Sequence, residues 1–317
     1  MPPEFSTSLL RDRAVMHLEL TQPNKYRHVV FAGPTGRIAP LVNLAPPAEP
    51  HDITRDAKHE LSEEEESFLH SLFACAGLDA NAYRSDSLRR RLQACLRAVR
   101  ATSILEARRT LAANPSLVSV AINAIVIGVS SFFRDAAVFD EIAFNVLPSL
   151  FRTHGPARVW SIGCSDGQEL YSVAILLAEL GLLDGCYLLG TDCRNEAIHR
   201  ARDGYYDAAA LRAVPRAWVE KYFHRQIDRW RIVSSLRTAV QWRTADVTRV
   251  PEPGVWDLIL CRNMAMYLRP DASGKLWEMC ERALRPGGYL IMGKAERPAN
   301  ARRLSPVGPC LFRRDRG

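Results

Sequence analysis

The chain has 317 residues, 47% of them hydrophobic and 24% charged, with a formal net charge of +7. This fits an ordinary soluble globular protein, long enough for two domains and a sizeable core. No run of about 18 apolar residues occurs, which excludes a transmembrane helix of ordinary length. No basic-then-apolar leader is visible either, so a cytoplasmic protein that does not insert into membranes is expected.

Eight cysteines stand at 75, 95, 164, 186, 193, 261, 280 and 310, and none forms a C-x-x-C pair. They read as free thiols, most of them in apolar segments, and no metal site is expected. The mild basicity permits nucleic acid or an acidic protein as partner, so the distribution of charge carries more information than its sum.

Residues 1–55 mix short apolar pieces with Pro2-Pro3, Gly33-Pro34 and Pro46-Pro47. They read as a poorly ordered extension with one short strand near His28–Phe31. Residues 56–125 read as a small all-helical domain. Ser62 followed by four glutamates is an N-cap with acidic residues in the first turn. Phe68, Leu69, Leu72 and Phe73 form one face of that helix, and Gly77 ends it. A second helix over 87–100 carries Leu88, Leu92, Leu96 and Val99 on one stripe, and a third covers 104–111. Residues 84–109 hold eight arginines (84, 89, 90, 91, 97, 100, 108 and 109) against Asp86 and Glu106. An excess of one sign that large exceeds an ordinary mixed solvated face. An acidic protein docking on Arg90, Arg97 and Arg100 is therefore expected.

Residues 126–317 read as an α/β domain with a mostly parallel sheet. Strands are expected at 158–162, 187–191, 240–243, 256–261, 289–293 and 310–313, alternating with helices at 169–180, 195–202 and 272–283. Arg285-Pro286-Gly287-Gly288 reads as a tight turn feeding the fifth strand. The first strand runs into Gly163-Cys164-Ser165-Asp166-Gly167 and opens a helix at once. Such a turn lets a ligand approach the backbone, and the helix start presents unpaired N–H groups. Glu169 adds a carboxylate there, which repels a phosphate and suits a cationic amine. That choice points to S-adenosylmethionine, a zwitterion with a sulfonium.

Three further features support a ligand crevice. Thr191-Asp192 ends the second strand, where an acidic side chain can accept from both ribose hydroxyls. Cys261-Arg262-Asn263-x-x-x-Tyr267 follows the fourth strand and faces the same crevice. Ser130-Ser131-Phe132-Phe133-Arg134-Asp135 lies between the helical region and the sheet, placed to cover it.

Taken together, these motifs resemble the CheR-type chemotaxis receptor methyltransferases, a family that methylates receptor glutamates with S-adenosylmethionine. The family shows Thr-x-Phe-Phe-Arg, then Gly-Cys-Ser-x-Gly-Glu-Glu-Pro-Tyr-Ser, Thr-Asp, Ala-Arg-x-Gly-x-Tyr, Cys-Arg-Asn and Leu-x-Pro-Gly-Gly. This chain has Ser130 to Arg134, Gly163 to Ser172, Thr191-Asp192, Ala201 to Tyr205, Cys261 to Asn263 and Leu284 to Gly288, in that order. The resemblance spans about residues 60–297. It implies a Rossmann-like class I methyltransferase domain behind a small helical domain.

It also implies that Ser130, Arg134, Gly163, Glu169, Asp192, Asp246, Val247, Arg262 and Asn263 line the cofactor. Glu169 would hold the methionine amine and Asp192 the ribose. Asp246 and Val247 would flank the adenine, while Arg134 and Tyr267 would stand nearest the transferring methyl as catalytic residues. Departures occur at Gly128 (Asn in the family), Ser130 (Thr), Gln168 (Glu), Leu170 (Pro), Asp246 (Asn), and at Lys294-Ala295 within Gly293-Lys294-Ala295-Glu296 (His-Ser).

The implied reaction is O-methylation of a glutamate in a chemoreceptor or signalling protein. The readings kept beside it are a catalytically weak regulatory module that binds the same cofactor, and a methyltransferase with another acceptor. A nicotinamide dehydrogenase would carry glycine where Ser165 stands. A nucleic-acid methyltransferase would carry an Asn/Asp-Pro-Pro-aromatic motif where Cys261-Arg262-Asn263-Met264 stands, so no nucleic-acid partner is expected.

Overall fold

The computed structural model describes residues 61–126, 128, 130–249 and 254–316. The expected extension and the strand near 28–31 lie outside them.

Four helices come first: α1 (Glu63–Cys75), α2 (Ser85–Ala98), α3 (Ile104–Ala113) and α4 (Leu117–Ile125). Ser62 caps α1 as its sequence suggests. It accepts from the Glu65 N–H at 3.2 Å while Glu65 reaches back to the Ser62 N–H at 2.8 Å, a reciprocal capping box. Phe68, Leu72, Leu92, Leu96 and Ile122 close a core of their own among these helices. Helix α4 had no counterpart marked individually; Leu117–Ile125 is apolar apart from Ser119 and Asn123.

Next come α5 (Ala136–Glu141) and, after one π turn, α6 (Leu147–His154). The α/β alternation then begins: β1 (Arg158–Ile162), α7 (Gln168–Glu179), β2 (Tyr187–Asp192) and α8 (Asn195–Asp203). Beyond α8 lie β3 (Tyr205–Tyr206), α9 (Arg216–Tyr222), β4 (Phe223–Gln226), β5 (Arg229–Ile232) and α10 (Ser234–Ala239). The chain returns through β6 (Val240–Thr244), β7 (Trp256–Cys261), α11 (Pro270–Ala283), β8 (Leu284–Met292), β9 (Leu304–Gly308) and β10 (Leu311–Arg314).

Among the described residues one sheet has the order β6-β2-β1-β7-β8-β10-β9. Strands β6 to β8 in that order run parallel, and β10 and β9 are antiparallel additions. The central strands β1, β2 and β7 are largely apolar and alternate their side chains between two cores. Val159, Leu188, Leu258 and Leu260 meet the α5–α7 side. Trp160, Leu189, Ile259 and Cys261 meet α11 through Leu276, Trp277 and Cys280. Burial on both faces is what a parallel sheet between helix layers requires. No helix among the described residues is long and apolar enough to cross a membrane.

One expectation needs correction. The fifth strand starts at Leu284, not 289: Leu284 pairs with Trp256, and the register then shifts to Leu258 with Tyr289. Arg285–Gly288 is thus extra chain held within one strand, with Gly287 at φ 82°. The second sheet, β3-β5-β4, was not expected. Its strands are two to four residues long, too short to show a period.

Strand order reverses around β1, whose neighbours are β2 on one side and β7 on the other. The connections leaving the carboxyl ends of β1 and β7 diverge there and open a crevice. The helical region reaches this point too. The Arg84 N–H donates to the Tyr267 carbonyl at 2.9 Å, and the Arg269 N–H donates to that of Ala82 at 2.9 Å. Residues 82–84 thereby lie beside the loop after β7.

Candidate active site

The crevice is a cleft open to solvent. Ser130, Arg134, Gly163, Glu169, Asp192, Asp246, Val247, Arg262, Asn263 and Tyr267 all line it. The residues singled out from the sequence are therefore brought together, although they come from five separate segments.

Backbone geometry makes the floor. Gly163 has φ 64°, and a side chain there would meet Met264 Sδ at 2.8 Å. Gly167 has φ 88°, and its added methyl would meet the Trp242 ring. Both glycines are demanded by conformation and by close packing. Non-glycine residues Phe133, Asp135, Ser165 and Asn263 also have positive φ, between 50° and 63°. Such conformations cost energy and collect where backbone groups must be aimed.

Glu169 stands on the first turn of α7, buried. Its Oε1 accepts from Ser161 Oγ at 2.8 Å, and its Oε2 accepts from Arg262 Nη1 at 3.3 Å. Burial pushes its carboxyl above the usual range, against the opposing pull of Arg262 and Ser161. Arg262 also donates to the Arg134 carbonyl at 2.9 Å and to Asp135 Oδ2 at 2.7 Å. Lys294 reaches Asp135 Oδ1 at 2.8 Å. Desolvation of Asp135 is outweighed by Lys294 and Arg262, and its carboxyl is held below the usual range. Arg262 is thus both a wall of the cleft and the tie between α7 and the 130–135 segment. Phe132 and Phe133 are buried, whereas Arg134 is exposed at the cleft.

Asp192 Oδ2 accepts from the Ser165 N–H at 2.9 Å. Asp246 is half-buried, and its Oδ1 accepts the Thr248 N–H and hydroxyl at 3.0 and 2.6 Å. Val247 is buried beside it.

Three residues escaped the sequence reading. Glu296, buried, accepts the N–H groups of Asn263, Gly293, Met264 and Met266 at 2.8–3.2 Å. It shapes the whole loop after β7. Its place at the end of Gly293-Lys294-Ala295-Glu296, where the resemblance has Gly-His-Ser-Glu, was the available signal. Tyr83 enters from the helical region and lines the cleft. Burial, with Cys193, Asp246 and Asp192 nearby, raises its phenol well above the ordinary value, so it stays neutral. Arg194 lies two residues past Asp192 and is paired with it.

Of the arginine-rich run, Arg91 donates to the Ala124 carbonyl at 3.2 Å and Arg108 donates to Ser67 at 3.0 Å. Arg90, Arg97 and Arg100 are exposed and form no ion pair among the described residues.

Comparison with known proteins agrees with this geometry. The family model described as CheR methyltransferase, SAM binding domain, matches residues 128–307. A chemotaxis protein methyltransferase of Listeria innocua is 29% identical over 226 residues, which is 71% of this chain and 86% of that protein. Chemotaxis protein methyltransferase 1 of Vibrio cholerae is 30% identical over 58% of this chain and 70% of its own. Its namesake in Pseudomonas aeruginosa is 29% identical over 55% and 68%.

Proposed function

We propose that this chain methylates a side-chain carboxylate of an acidic protein segment, and the premise is its kinship: the chain belongs to the CheR methyltransferase family. It is an S-adenosylmethionine-dependent methyltransferase. The observation that carries the finer reading is the lining of the cleft, which combines buried Glu169 and Asp192, half-buried Asp246 and exposed Arg134.

The donor set fits S-adenosylmethionine. Glu169 at the helix start suits an ammonium and disfavours a phosphate. Asp192 suits two vicinal hydroxyls, and Asp246 beside the apolar Val247 suits an adenine with its exocyclic amine. Bound there, the cofactor supplies a methyl group activated by a sulfonium.

The chain itself has little bond-making chemistry to perform. An acceptor glutamate is already ionised near neutral pH, so no general base is needed. Transfer to it cancels a negative and a positive charge, which water opposes by solvating both; a cleft that excludes water favours it. Alignment supplies much of the remainder. Arg134 presents a planar fork that orients the incoming carboxylate. Tyr267 positions it with its hydroxyl. The exposed Arg90, Arg97 and Arg100 on and just after α2 hold the acidic segment.

By kinship the acceptor is of the chemoreceptor type. Incubation with methyl-labelled S-adenosylmethionine and a purified chemoreceptor signalling fragment tests this. Label on glutamates of the fragment is expected. Label that enters other cell proteins and leaves the fragment bare would contradict the receptor assignment.

A further inference from the structure

Asp192, which the proposed function gives to the cofactor's ribose, has a carboxylate already filled from within the chain. Its Oδ1 accepts the Arg194 N–H and Nε–H, both at 3.0 Å. Its Oδ2 accepts the Ser165 N–H at 2.9 Å and Arg194 Nη2 at 3.1 Å. An ionised carboxylate offers about four lone-pair positions, and four donors occupy them. Two are backbone groups fixed by the turns after β1 and β2. The other two belong to one guanidinium, at the end of a side chain that can rotate away.

Gly128 points the same way independently. A methyl group built on it would overlap the Arg194 guanidinium, whose atoms are its nearest neighbours. The missing side chain at 128 is the space in which that guanidinium lies. Gly128 and Arg194 thus form a matched pair, and both line the cleft. Arg194 is only 5% exposed, so its charge is compensated chiefly by Asp192.

We propose that Arg194 is an affinity-setting residue that competes with the cofactor's ribose for Asp192. Binding exchanges a guanidinium for two ribose hydroxyls on the same carboxylate, so the intrinsic affinity is reduced by the cost of releasing Arg194. The same exchange runs backwards after methyl transfer. Arg194 reclaims Asp192 and speeds departure of S-adenosylhomocysteine, which carries the same ribose. The consequence is a site that turns over at the cost of holding its ligands loosely. The inference rests on the reading of Asp192 as the ribose acceptor.

Calorimetry with S-adenosylhomocysteine on the full chain tests it. Arg194→Ser should bind at least about tenfold more tightly than the wild-type protein, with slower dissociation. Gly128→Ala, which denies the guanidinium its space, should also tighten binding, and it carries the test if Arg194→Ser does not fold. The double variant Arg194→Ser, Asp192→Asn should lose the gain. Unchanged or weaker binding by both Arg194→Ser and Gly128→Ala would overturn the proposal while leaving the ribose reading intact, provided that Asp192→Asn still weakens binding. If Asp192→Asn changes nothing in either background, the ribose reading fails and the competition fails with it.

Discussion

Glu296 accepts the backbone N–H of Asn263 at 2.9 Å across 33 residues of sequence. One buried carboxylate therefore fixes the left-handed turn, φ 56°, by which the chain leaves β7 and enters the cleft. Three further N–H groups converge on it. Removing it leaves four N–H donors without this acceptor, that of Gly293 buried and those of Asn263, Met264 and Met266 partly buried. Glu296→Ala should cost about 2–4 kcal/mol of stability, measured by urea unfolding. It should also weaken S-adenosylmethionine binding, because Asn263, Met264 and Tyr267 lose their placement. Wild-type stability in that variant would show that the loop is held by other contacts.

The raised carboxyl of Glu169 predicts a pH dependence with a definite sign. Only the ionised form attracts the cofactor's ammonium, and that attraction lowers the carboxyl's proton affinity again. Binding should therefore release a proton at pH values around the raised value, and affinity should fall as pH drops through it. Calorimetry in buffers of differing ionisation enthalpy reads the proton count. For folding the sign is opposite. The unfolded glutamate loses its proton first, so Glu169 subtracts stability as pH rises from the ordinary carboxyl range through the raised value. Proton uptake on binding would remove Glu169 from the amine.

Arg134 is exposed, with two buried phenylalanines anchoring the segment before it. Arg134→Lys should melt within a few degrees of the wild-type protein yet lose at least about tenfold in turnover, or ~1.4 kcal/mol of barrier. Lysine keeps the charge and loses the fork. Full turnover would reduce its role to charge, and a collapse in melting temperature would make it structural.

The triple change of Arg90, Arg97 and Arg100 to Glu should abolish methylation of the protein acceptor and leave cofactor affinity unaltered. Exposed charges are screened over about 10 Å at 0.1 M salt, so acceptor binding by the wild-type protein should weaken steeply with added salt. Equal loss of both affinities would mean that α2 supports the cleft and does not dock a partner.

How far the sequence reaches depends on the range of the interactions involved. Strands β1, β2 and β7 and helix α7 were legible because they are apolar runs with turn residues at their ends. Glu169, Asp192 and Asn263 were legible because strand ends in a parallel sheet must face one crevice. The resemblance added Asp246 and Arg134, which no local pattern marks. Glu296 and Gly128 stood out only as places in the family pattern, and their roles, with those of Tyr83 and Arg194, were not legible. Each works through a partner 30 or more residues away, as in the pairing of residues 82–84 with 267–269, and neither period nor composition encodes that.

The most direct test of carboxyl chemistry is the lability of the product bond. After reaction of the full chain with methyl-labelled S-adenosylmethionine and cell protein, mild alkali should release the label as volatile methanol, because a methyl ester hydrolyses under conditions that an N-methyl group survives. A Glu169→Ala control should carry little label, having lost the amine contact. Label that resists alkali would place the methyl on nitrogen or carbon and contradict a carboxylate acceptor.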